Sequence, residues 1–127
     1  MGTNKLTFQL LMLACTAFFV GSVQALALSE AQLKSHLNQR LDVRIELMSI
    51  EQSELDDLKV KLTSMAEENT KRLHLKYEIL KGESGNFLKI TSKDVIQEPV
   101  VTFQVDINWS KGHVIREYSL LIDPSGN

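Results

Sequence analysis

A single cysteine, Cys15, is all the thiol chemistry this sequence holds, so an intramolecular disulfide framework is excluded. Prolines are as scarce: Pro99 and Pro124 are the two in the chain, and no Pro-, Gly- or Ser-rich linker divides it. The six glycines never fall into a GxGxxG or P-loop arrangement. Neither sign of charge dominates, with 14 Lys and Arg against 16 Asp and Glu for a net charge of −2. Those charges are interspersed, which leaves neither a basic stripe for nucleic acid nor a polybasic patch for a membrane surface.

What is present begins with one long apolar run. Lys5 is followed by apolar residues from Leu6 to Val23, ending in the small-x-small sites Val23-Gln24-Ala25 and Ala25-Leu26-Ala27. A charged start, an apolar helix-forming stretch and a small-residue exit are the pattern of a secretory signal, because the peptidase pocket admits only small side chains. The expectation is a signal peptide over 1–25, cleaved after Ala25 with Ala27 as the alternative. Removing 25 of the 127 residues leaves 102, with 13 basic and 16 acidic side chains and a net charge of −3. Two rival readings use the same stretch. Uncleaved, it approaches the roughly 20 apolar residues that span a bilayer, although Thr7, Gln9 and Ser22 dilute it. Cys15 as a lipoprotein acylation site is the other, but Met12-Leu13-Ala14 fits a lipobox poorly and the apolar run continues past Cys15. Cleavage removes Cys15, leaving residues 26–127 as one cysteine-free domain stabilised by a hydrophobic core.

In that domain the dominant signal is alternation with period two, the mark of strands with one buried face. Leu41, Val43, Ile45 and Leu47 alternate with charged residues; Val101, Phe103, Val105, Ile107 and Trp109 alternate with Thr102, Gln104, Asp106 and Asn108; Leu73, Leu75, Tyr77 and Ile79 form a third run. Shorter strands are expected over Leu33–Leu37, at Val60–Leu62 and at Leu88–Ile90, and a last one over Val114–Ile122. The turn 82–86 and the segment Ser110-Lys111-Gly112-His113 read as hairpin connections. Two short helical pieces are predicted. One is a capping-box start at Ser53-Glu54-Leu55-Asp56 with Leu55 and Leu58 facing inward, and the other is Ser64-Met65-Ala66-Glu67. About seven strands with little helix predict an antiparallel β-sandwich of immunoglobulin-like topology.

Reactive constellations do not emerge. His36, His74 and His113 fall in different elements without ligand spacing, and HExxH, CxxC and EF-hand patterns are missing. No serine lies in a GxSxG context. Glu54, Asp56 and Asp57 are explained as helix-start carboxylates. The Asn108-Trp109-Ser110 sequon is a chance match outside a eukaryotic secretory route, and the parity of Trp109 places it with the core rather than on a ligand-stacking face. The expectation is a protein that is not an enzyme and takes no cofactor or metal.

The motifs along the chain resemble a known family. Leu33-Lys34-Ser35-His36-Leu37-Asn38-Gln39-Arg40-Leu41-Asp42-Val43-Arg44-Ile45-Glu46-Leu47 is similar to the S-x-L-N-Q-P-L-x-A-x-I-x-L stretch that opens the mature FimV/HubP proteins. The likeness continues through Glu54-Leu55-Asp56-Asp57-Leu58-Lys59-Val60-Lys61-Leu62. It is strongest in Ile90-Thr91-Ser92, Gln97-Glu98-Pro99, Asn108-Trp109 with Gly112, Arg116-Glu117-Tyr118 and Leu120-Leu121-Ile122-Asp123-Pro124. Arg40 stands where the family has proline, Ser110-Lys111 replace the Pro-Asn of its W-P-N-G turn, and the stretch around Met65–Arg72 is shorter. The resemblance implies the N-terminal β domain of bacterial inner-membrane hub proteins linked to type IV pilus assembly, twitching motility and polar organisation, hence a Gram-negative periplasmic home. The chain ends at Asn127, just after the Asp-Pro pair, so the expectation is a module free in the periplasm, with no membrane insertion after signal cleavage.

The expected partners are periplasmic or envelope proteins, with peptidoglycan as the alternative and nucleic acid excluded. Candidate partner-binding residues are those of the shared motifs that strand parity or turn position exposes: Asn38 and Gln39 between the first strands, and Arg116 and Glu117 in the last strand, an edge open to an added strand or to charge pairing. The competing reading gives Asn38 to its own turn and Arg116 to a structural carboxylate.

Overall fold

Alternating apolar residues place one side of each strand against a common interior, and two antiparallel sheets close over it. The computed structural model describes residues 26–66 and 72–124. The expected signal segment, 1–25, and Glu67 of the second expected helical piece lie outside them. The first sheet runs β1 (Ala27–Leu28) and β2 (Gln32–Leu33) end to end along β3 (Arg40–Met48), then β6 (Gly85–Val95) and β5 (Leu75–Gly82). The second sheet has the order β4 (Lys59–Met65), β7 (Val100–Trp109), β8 (Gly112–Leu121). This is the antiparallel sandwich that the alternation predicts.

The interior is built by the predicted parity. Val43, Ile45, Leu88, Ile90, Phe103, Val105 and Ile107 are fully buried. Phe103 stacks on Tyr118 of β8 with ring centroids 5.6 Å apart. Trp109 is half-buried and packs on the same core. The core draws on residues from Leu26 to Ile122.

Several local expectations are corrected. The strand expected over Leu33–Leu37 stops at Leu33, because Ser35 instead turns its hydroxyl to accept from the Asp42 N–H at 2.9 Å and the chain enters a turn. A separate two-residue strand, β1, was hidden in the sequence by its shortness. The second helical piece does not form: Ser64 and Met65 end β4, paired with Phe103 and Thr102. The first piece is a 3-10 turn, Gln52–Asp57, capped by Glu51 without a side-chain bond, so Ser53 is not its cap. Leu55 and Leu58 are buried as expected.

That 3-10 turn crosses one end of the sandwich and ties both sheets. Asp56 pairs with Lys81 of β5 at 2.6 Å. Asp57 accepts the Ser110 N–H at 2.9 Å, and Glu54 pairs with Lys111, both in the β7–β8 hairpin loop. These bonds hold the Asp57 carboxyl below its ordinary range, chiefly through Ser110, and raise the Lys111 ammonium above its own, chiefly through Glu54. In the same hairpin Gly112 lies against the Trp109 ring, where a Cβ would come within 3.3 Å of it.

Candidate interaction surface

Asn38 and Gln39 sit in an exposed turn between β2 and β3 at one end of the sandwich. Asn38 adopts the left-handed region, φ 67°, which asparagine tolerates better than most residues. Its N–H donates to Ile96 O at 2.7 Å, and Gln39 O accepts the Ile96 N–H at 2.8 Å, so the turn pairs with the β6–β7 crossover. The Gln39 side chain accepts the His36 N–H at 2.8 Å. Beside it, Leu37 N–H donates to Asp123 O just past β8.

Arg116 lies mid-strand in β8 on the inward-facing parity, shared with Val114, Tyr118 and Leu120. Its guanidinium reaches across to the β1–β2 link, donating to Leu28 O at 2.5 Å, to Ser29 O at 3.2 Å and to Glu30 Oε1 at 2.9 Å. The Tyr118 hydroxyl donates to Ser29 O at 2.8 Å. Burial is the largest influence on that phenol, which is pushed up to about 12; Arg116 pulls it down and Glu30 up. Glu117 points the other way, exposed on the outer face of the second sheet opposite Gln104. The structure therefore keeps the four residues in two places: the Asn38-Gln39 turn at the sandwich end, and the Arg116-Glu117 pair seven and six residues before Asp123, with side chains on opposite faces of β8.

Sequence reasoning also missed two contributors. Ser92, buried in the I-T-S motif, accepts the Leu41 N–H at 2.7 Å and donates to Asp94 O at 2.6 Å. It repairs the ladder where the β3–β6 register shifts between Arg40 and Asp42. The outer face of the second sheet exposes Met65, Val100, Ile115 and Leu121, and only the doubled apolar pattern of β8 hinted at it.

Two open grooves flank the Gln97-Glu98 segment. One, of about 340 Å³, is lined by Met65, Leu73, Pro99 and Val100; the other, of about 440 Å³, by Arg40, Arg72, Lys93, Asp94 and Val95. Among the described residues no group of three His, Cys, Asp or Glu side chains is placed to hold a metal ion. None of the described helices is long and apolar enough to cross a membrane.

Comparison with known proteins fits this geometry. Residues 26–125 match the family model of the FimV N-terminal domain, an Ig-like domain. Two Pseudomonas aeruginosa proteins, from strains PAO1 and UCBPP-PA14, are each named motility hub protein FimV and are each 33% identical over 119 residues. The match covers 87% of this chain and 13% of each relative, so the chain spans a small part of their length. No solved structure matches the chain. The sandwich, its parity and the family match together place this chain in the FimV N-terminal domain family.

Proposed function

We propose that the chain is an exported, non-enzymatic interaction module of the Gram-negative periplasm that binds envelope proteins in the setting of type IV pilus assembly or polar envelope organisation. The observation that carries this reading is the match of residues 26–125 to the N-terminal domain of proteins named as motility hubs. The match begins at the residue after Ala25, which supports cleavage there. Much of the family's motif set is spent on architecture: Asn38 on its turn, Ser92 on the register shift, Gly112 on the Trp109 ring and Arg116 on the β1–β2 link. That leaves partner contact to exposed groups, and Glu117, the β8 edge and the outer rim of the Asn38-Gln39 turn are the candidates.

Mass spectrometry of the protein recovered from a Gram-negative host tests the export step. An N-terminus at Leu26 is expected, whereas an intact Met1 or a diacylated Cys15 overturns it. Sedimentation with purified peptidoglycan separates protein binding from glycan binding. The chain remains in the supernatant if its partners are proteins, and pelleting with the sacculi assigns it to the wall instead.

A further inference from the structure

The four sheet edges of this sandwich are not alike. Natural sheets discourage stray pairing with lysines, prolines, bulges or very short edge strands. Edge strand β4 carries Lys59 and Lys61 exposed, and β5 carries Lys76 and Lys81. The opposite edge of the first sheet is broken into two-residue strands, β1 and β2. The β8 edge has none of these devices: it runs ten residues without lysine or proline, and its pairing with β7 is unbroken from Leu121 to Gly112. Its one inward charge, Arg116, is already engaged by Leu28, Ser29 and Glu30.

The ladder also fixes which backbone groups of β8 point away from β7 and find no strand partner among the described residues. Ile122 N–H bonds Pro99 O across to the β7 side. By alternation, Tyr118 and Arg116 likewise face β7, while the N–H and C=O of Ile115, Glu117, Ser119 and Leu121 face away from it. The same four residues project their side chains onto the outer face, where Ile115 is 51% and Leu121 78% exposed. Just past this window the edge ends, because Asp123 O is taken by Leu37 N–H.

We propose that β8 pairs with β8 of a second copy of this chain, antiparallel and centred on Tyr118, to join two second sheets into one. In this register Ile115 lies opposite Leu121 of the second copy and Glu117 opposite Ser119, with each contact made twice by the two-fold axis. Shifting the centre to Glu117 sets two carboxylates directly opposite one another, which is destabilising. Shifting it to Ser119 faces Glu117 with Leu121 and leaves Ile115 opposite the occupied Asp123 carbonyl. Only the Tyr118-centred register among these three pairs apolar with apolar and charge with hydroxyl. Val100, the neighbour of Leu121 in β7, extends the apolar row on each side.

This inference claims the same β8 edge that the hub reading offers to envelope proteins, and one experiment distinguishes their failures. Sedimentation velocity of the purified chain, as the expressing cell processes it, is run from micromolar to millimolar concentration. A concentration-dependent doubling of mass is expected. Ile115→Lys and Leu121→Glu each weaken the dimer by about tenfold or more, with melting unchanged because both side chains are outward. The double variant restores it, since each new lysine then faces a glutamate of the second copy. A monomer at every concentration overturns the proposal, as does a dimer indifferent to the single substitutions or a double variant no better than either. If the chain stays monomeric while crosslinks from position 117 capture an envelope protein, self-pairing is overturned and the hub reading survives.

Discussion

The guanidinium of Arg116 lies 4.8 Å from the ring centroid of Tyr118, and both side chains reach the same link of the opposite sheet. Together they clasp β8 to residues Leu28–Glu30 and close one flank of the sandwich. Arg116→Met, which keeps the apolar stem, is expected to cost about 1–2 kcal/mol, the low end for charge-assisted bonds because the guanidinium is partly exposed. Glu30→Ala removes a carboxylate that is 92% exposed and is expected to change stability by less than about 0.5 kcal/mol. Thermal unfolding of the two variants side by side checks the contrast, and equal losses would show that the ion pair and not the carbonyl bonds closes the flank.

The same phenol gives a pH dependence. Its folded value of about 12 lies above the ordinary 10.0, so the folded state holds this proton more tightly than the unfolded state does. The resulting stability is complete below pH 10 and drains away as pH rises toward 12. Tyr118→Phe is expected to be less stable at neutral pH, having lost the bond to Ser29, and to show a flatter decline between those two values. Denaturant midpoints across the alkaline range, read with the tyrosinate absorbance, make the comparison. A wild-type decline matched in slope by Tyr118→Phe would assign the titration to another group.

Phe103 is the central plug, fully buried and stacked on Tyr118. Phe103→Ala is expected to cost about 3–5 kcal/mol, a large part of the 5–15 kcal/mol or so that holds a small domain together. Chemical denaturation measures it. A midpoint unchanged within error would contradict the assignment of Phe103 to the core.

Gly112→Ala probes the β7–β8 hairpin, where the added methyl meets the Trp109 ring edge at 3.3–3.4 Å. The ring must give by a few tenths of an ångström, and Trp109 is the one tryptophan in the chain. A shift in tryptophan emission with the fold retained is the expected outcome. Unchanged emission would mean that the ring does not pack over this glycine.

The sandwich was legible because its strands are one-sided. Period-two alternation in Leu41–Leu47 and Val101–Ile107 needs only a buried face and a wet one, and the structure buries those residues. Short elements were not legible, since two residues such as Ala27–Leu28 carry no period and form a strand only because β3 offers its edge. Ser64-Met65-Ala66-Glu67 resembled a helix start by local chemistry, yet pairing with β7 overrode that preference at Ser64 and Met65. Arg116 was legible as a motif residue that could serve a structural carboxylate, and that carboxylate is Glu30, but its bonds to the β1–β2 link were not. Its partners are 86 to 88 residues away in sequence, and two of them are backbone carbonyls, which no side-chain pattern reveals.

The proposed function has this domain meet envelope proteins through its exposed edge and turn. Photocrosslinking in living Gram-negative cells tests it most directly, with a photoreactive residue placed in turn at Glu117, at Gln39 and, as a control, at Glu78 on the outer face of the other sheet. Discrete adducts with an envelope protein are expected from Glu117 or Gln39 and none from Glu78. Folded, exported protein that yields no adduct from Glu117 or Gln39, or that crosslinks only from Glu78, would contradict it.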